Sequence, residues 1–112
     1  MKVTILGCGA SSGTPTLSTG WGECDPDEPR NRRQRASILV EDGTTTLMVD
    51  ASPDCRAQLL AAGTAHLDAI LFTHAHADHC HGIDELRWVN IATGQDLPTY
   101  GNRQTLDEIK RR

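Results

Sequence analysis

The chain has 112 residues, 38% hydrophobic and 23% charged, a length that holds one core and a composition that excludes a disordered or fibrous chain. A formal net charge of −4 with histidine neutral argues against a general nucleic-acid binder. The apolar run at the N-terminus is too short for a secretory h-region and none reaches the length of a membrane span, so the chain reads as a single cytoplasmic domain over 1–112 with no membrane contact.

Lys2 to Leu6 is rich in β-branched residues and stops at Gly7, which predicts a short buried strand. From Gly7 to Ala36 no hydrophobic periodicity is present, and the Gly and Pro residues predict a long loop, a feature usually tied to function or disorder. Ser37 to Glu41 and Thr45 to Asp50 predict two strands joined across Asp42-Gly43, a dipeptide suited to a tight hairpin. Ser52 as N-cap, Pro53 in the first helical position, Cys55, Leu59 and Ala62 on one face and Gly63 as terminator predict a helix from Ser52 to Ala62.

Asp68 to Thr73 is a continuous apolar run that predicts a strand covered on both faces. Helical spacing returns from Gly82 to about Ala92 through Ile83, Leu86 and Val89. Pro98 to Gly101 predicts a short strand, and Asn102 to Arg112 a helix with a cationic last turn. The order is β, long loop, ββαβαβα, without repeats or linkers. Cys8, Cys24, Cys55 and Cys80 form no C-x-x-C pair and read as reduced thiols, and Trp21 and Trp88 read as packing residues.

The segment Leu71 to Gly82, "LFTHAHADHCHG", holds four of the five histidines and falls at the C-terminal end of the buried strand, in the turn before a helix. His74 and His76, two apart in extended backbone, lean the same way, and Asp78 and His79 follow once the chain has begun to turn. Neutral imidazole and carboxylate are the usual ligands of zinc, so His74, His76, Asp78 and His79 form a candidate metal-binding loop. At this composition the pattern H-x-H-x-D-H arises by chance in about one chain per thousand. The competing reading is a solvated His-rich turn.

This segment, preceded by "AILFT" and followed by Gly82, closely resembles the H-x-H-x-D-H signature of the metallo-β-lactamase-fold hydrolases. The resemblance implies an α/β (α+β) fold, the first αββα half of that architecture. It implies that His74 and His76 are ligands of one metal, that Asp78 and His79 are ligands of a second, and that Asp50, ending "TTLMVD", supports the site from behind. Strand-end aspartates also serve local turns, which is the competing reading of Asp50. "GCGASSGTP", "WGECDP", "NRRQRASILV" and "HGIDELRW" are similar to the branch that includes the phosphoribosyl cyclic phosphodiesterases of phosphonate breakdown. The tRNA 3′-processing nucleases and quinone-cofactor biosynthesis relatives share parts of it.

The implied chemistry is metal-dependent hydrolysis of a small-molecule cyclic phosphodiester. Two zinc ions, or manganese, would supply hydroxide, and the catalytic Asp78 would ligate metal and orient the nucleophile. Alternatives are another hydrolase of the fold (a tRNA 3′-end nuclease, thioesterase or lactonase) or a truncated metal-binding fragment without turnover. Arg30, Arg32, Arg33 and Arg35 are candidate phosphate contacts, against the alternative of a solvated charge run, and Ser12 lies in a small-residue turn able to present N–H groups to an anion. The cysteines of some relatives hold a structural zinc in this loop, where Cys24 stands alone and reads as a plain thiol. Family members are more than twice as long, with two similar halves and further ligands in the second, which His66 does not replace. The expectation is therefore an N-terminal half with one sheet face uncovered, requiring a C-terminal half or a homodimer partner.

Overall fold

Five strands and four α-helices account for the regular structure of the computed structural model, which describes residues 1–112. β1 (Lys2–Gly7) pairs antiparallel with β2 (Ser37–Asp42), and β2 with β3 (Thr45–Val49) across the Asp42-Gly43 turn, where Gly43 takes a positive φ of 60°. β4 (Ala69–Leu71) and β5 (Thr99–Tyr100) extend the sheet in parallel, giving the order β1-β2-β3-β4-β5. The helices are α1 (Cys55–Ala62), α2 (Ala77–Cys80), α3 (Arg87–Thr93) and α4 (Arg103–Arg111), with 3₁₀ turns at Pro29–Asn31 and Ile83–Leu86.

Alternation along the strands divides the sheet into two unlike faces. Leu39, Met48 and Ile70 stand side by side in register and are 2%, 0% and 1% exposed, packed in one cluster with Cys55, Leu59, Phe72, Leu86 and Val89. The opposite register row runs Val3, Val40, Leu47, Ala69 and Ile5, Ile38, Val49, Leu71, Tyr100. On it Val3, Ile5, Leu71 and Tyr100 are 55%, 68%, 42% and 57% exposed. The apolar run of β4 is thus fully covered on one face only, since Leu71 is open to solvent on the other.

Three local expectations shift. The helix predicted from Ser52 starts at Cys55: the Ser52 hydroxyl accepts from the Asp54 N–H at 3.1 Å and donates to Gln58 at 3.2 Å, so residues 52–54 form a turn. It ends as expected on Gly63 (φ 69°). The helix predicted from Gly82 to about Ala92 opens as a 3₁₀ turn before α3, and the separate turn α2 precedes it; between them Gly82 presses on the backbone of Ser52, where a Cβ would stand 1.9 Å from the carbonyl oxygen. The long loop is ordered, tied to itself by bridges Thr14–Arg33 and Gly9–Arg35. Trp88 is 56% exposed rather than packed, with the Arg87 guanidinium 4.9 Å above its ring. Cys55 and Cys80 are buried, whereas Cys8 and Cys24 are exposed. No helix is long and apolar enough to cross a membrane.

Candidate metal centre at the ends of parallel strands

β3 and β4 run in the same direction with Val49 opposite Leu71, so the residues that leave both strands emerge together at one sheet edge. Such carboxyl ends of parallel strands are where open α/β sheets place their ligands. Asp50 is the first residue past β3 and the only non-glycine residue at positive φ (62°), a conformation that costs of order 1–3 kcal/mol and persists only when its surroundings impose it. Here they do. The Asp50 N–H donates to the Leu71 carbonyl at 2.9 Å, Ala51 to His79 at 2.9 Å, and Gly82 back to Ala51 at 2.9 Å, lacing the strand end to the histidine loop.

The Asp50 side chain, 4% exposed, faces that loop. Its Oδ1 accepts from the Thr73 N–H at 2.8 Å, and Oδ2 accepts from the Thr73 hydroxyl and from His79 Nδ1, each at 2.7 Å. With Nδ1 engaged, His79 turns Nε2 outward, 3.1 Å from Asp78 Oδ2. Two ligands on one tetrahedral ion at zinc distances lie about 3.3 Å apart, so this pair has the spacing that a shared ion requires. The rings of His74 and His79 have centroids 4.1 Å apart, and those of His74 and His76 4.7 Å apart. His76 is still extended (φ −66°, ψ 148°), and α2 begins after it, which brings His79 round on the first helical turn.

Ligand atoms of Asp50, His74 and His79 lie within 4.8 Å of one another. The Asp50 oxygens already accept three hydrogen bonds from Thr73 and His79, the arrangement of a carboxylate that orients a metal-binding imidazole from behind. The outward-facing donors are imidazole nitrogens and one carboxylate, a set that fits zinc or manganese. On the far side of the loop a cavity of about 360 Å³ opens, with His74 and His76 on one wall and Asn102, Gln104, Glu108 and Arg112 on the other. Arg112 Nη1 donates to the Ala75 carbonyl, between the two histidines, at 2.7 Å.

Residues 45–112 match the family described as "Beta-lactamase superfamily domain". The chain belongs to that superfamily. A solved diphosphatase of the PhnP family is 37% identical with a TM-score of 0.89, covering 97% of this chain and 44% of its own. Zinc-bound PqqB from Methylobacterium extorquens is 29% identical, with a TM-score of 0.77 over 100% of this chain and 40% of that one. Among curated proteins, coenzyme PQQ synthesis protein B of Methylobacterium radiotolerans is 32% identical over 97% of the chain and 40% of its own length. An octanoyltransferase of Porphyromonas gingivalis is 37% identical over 100% of the chain. The chain spans only 23% of that last protein, whose name therefore describes something four times as long.

The superfamily's fold implies a divalent-metal site and hydrolytic chemistry, and the histidine loop is the part of this chain with the donors for it. The arginines lie elsewhere. Arg35 forms a two-pronged pair with Asp54 (Nε–Oδ2 2.7 Å, Nη2–Oδ1 3.2 Å), Arg33 donates to the Arg30 carbonyl at 2.8 Å and to Cys8 Sγ at 2.9 Å, and Arg30 pairs with Glu28. Arg32 stacks 5.2 Å above the Trp21 ring, and Ser12 donates to the neighbouring Gly13 carbonyl at 3.2 Å. Arg32 and Arg33 line a different cavity, beside Cys8. His66 pairs with Asp68 at 3.1 Å. Sequence reasoning passed over Thr73 and Arg112. The one available signal for Thr73 was a hydroxyl directly before the motif at a strand end.

Proposed function

We propose that the chain carries the metal-holding part of a hydrolase site for phosphate esters, with a cyclic phosphodiester as substrate class. The observation that supports this best is the buried Asp50 carboxylate braced against His79, whose other nitrogen meets Asp78 at 3.1 Å. His74, His76, Asp78 and His79 are the proposed ligands, zinc the proposed metal and manganese the alternative. Divalent ions held by them would supply hydroxide near neutral pH and neutralise charge on the phosphate. Asp78 acts as the catalytic carboxylate by accepting from the attacking solvent molecule and aiming it in line with the bond that breaks. The cavity toward α4 gives the substrate room beside His74 and His76.

Four donors are too few for two ions that each take four to six partners. The remaining donors would come from a C-terminal half or from a second copy of this chain, and either would also cover the face of Val3, Ile5, Leu71 and Tyr100. The likeness to a diphosphatase favours a second reading, attack on a diphosphate by the same groups. In either case the site would work in the cytoplasm.

The test is metal content together with turnover of bis-p-nitrophenyl phosphate, a cyclic phosphodiester and a diphosphate diester. Hydrolysis should vanish on chelation, return with Zn²⁺ or Mn²⁺, and be lost in His76→Ala. Equal turnover in that variant overturns the site, and a preference for thioester or lactone overturns the substrate class. Metal uptake with no turnover favours the non-catalytic fragment.

A further inference from the structure

Counting protons around Asp50 leads to a role for Thr73. A carboxylate oxygen only accepts, so at 2.7 Å from Asp50 Oδ2 the single hydroxyl proton of Thr73 must lie on the line between them. The same Thr73 oxygen stands 2.9 Å from His74 Nδ1. Having given its proton to Asp50, the hydroxyl can only accept there, so the proton of that contact belongs to His74 Nδ1. The neutral ring's lone pair is then on Nε2.

We infer that Thr73 is a positioning residue that fixes the tautomer of His74, extending to a second imidazole the control that Asp50 exerts directly on His79. The run is His74 Nδ1–H to Thr73 Oγ1, Thr73 O–H to Asp50 Oδ2, and His79 Nδ1–H to that same Oδ2. One buried carboxylate therefore sets both rings to present Nε2, and the rings lie 4.1 Å apart. The Thr73 backbone N–H, held on Asp50 Oδ1 at 2.8 Å, keeps the hydroxyl in place and is retained when serine or valine replaces Thr73. A histidine without such a partner distributes its proton between two nitrogens and must shed the wrong tautomer before it can ligate. No hydrogen bond holds the His76 ring, so the relay separates His74 from its neighbour two residues on.

This inference rests on the metal-holding reading, and its test separates the two. The full chain, labelled with ¹⁵N in histidine, is observed metal-free about two pH units above the ordinary imidazole pKa. His74 should carry its proton on Nδ1 in the unsubstituted chain and in Thr73→Ser. In Thr73→Val, which keeps the shape and loses the hydroxyl, it should shift toward Nε2–H while His79 stays as it was. Zinc dissociation constants from chelator competition should rise about 10- to 100-fold in Thr73→Val and return toward the original in Thr73→Ser. A His74 proton on Nε2 in the unsubstituted chain, or a Thr73→Val protein with unchanged tautomer and zinc affinity, overturns the relay. If the unsubstituted chain shows the stated tautomer and binds no zinc, the relay stands and the hydrolase reading falls.

Discussion

In the segment 74–79 His74 and His79 converge with Asp50, whereas in the segment 30–35 each guanidinium turns to a partner of its own. Both are dense in charge and both sit in irregular chain, yet only the first is backed by a buried acid. Asp50, held at φ 62° and 4% exposed, gathers Thr73 and His79 onto its two oxygens. Behind the arginines the loop is closed by backbone bridges at Gly9 and Thr14, which order the chain without aiming its side chains. Arg30, Arg33 and Arg35 therefore meet Glu28, a carbonyl and thiol, and Asp54, while Arg32 meets an indole ring. Crowding in the sequence becomes a site where the fold supplies a carboxylate behind the cluster.

The largest expected effect tests that bracing. Gly82 passes so close to Ser52 that a methyl group has no room, and its N–H holds Ala51. Gly82→Ala should cost about 3 kcal/mol, a fall in Tm of roughly 10 °C or more. It should also weaken zinc binding, by pushing α2 and His79 away from Asp50. Urea titration and chelator competition measure the two. A variant that is destabilised yet binds zinc normally would show that convergence of the loop does not depend on the lacing.

Features decided within a few residues were legible in advance. The Asp42-Gly43 hairpin, the stop of α1 at Gly63 and the helix that opens at Asn102 all follow from local chemistry. The outward direction of Leu71 was not legible, because β4 reads as apolar whether or not a layer covers its second face. Nor was the 3₁₀ opening after Gly82, a residue pressed against Ser52, thirty residues away. The histidine loop stands out by its spacing, but the part played by Thr73 depends on the parallel register that sets the end of β4 beside Asp50. The partners of the arginines were hidden for the converse reason: their proximity in sequence says nothing of Asp54, which takes Arg35 from across the fold.

A smaller effect sharpens the contrast from the arginine side. Arg35 and Asp54 are each about a quarter exposed, and Asp54 also accepts from the Arg35 backbone N–H at 2.9 Å. Arg35→Ala should lose about 1–2 kcal/mol in urea titration while leaving zinc affinity unchanged. Arg32→Ala, which removes a stacking contact at the surface, should fall within about 0.5 kcal/mol of the original. If Arg32→Ala raised KM for a phosphodiester with kcat unchanged, the loop would be reaching the substrate after all.

The smallest effect concerns a second aspartate, at the opposite end of the same strand pair. Asp68 precedes β4 as Asp50 follows β3, and its Oδ2 accepts from the Thr46 N–H at 2.7 Å. That bond, aided by the charge of His66, holds its carboxyl below the ordinary value against a smaller opposing effect of burial. A carboxyl depressed in the folded state stabilises the chain above its unfolded pKa, near 4, and the stabilisation fades as pH falls from there through the folded value. Asp68→Asn should therefore be less stable than the original chain at about pH 5 and above, and the two should draw together below about 4. Urea titrations across that range measure it. Zinc affinity at neutral pH should be the same in both, since Asp68 braces the register of β3 and β4 at the end remote from the histidines, and a loss of affinity would mean that the two ends of the pair are not independent.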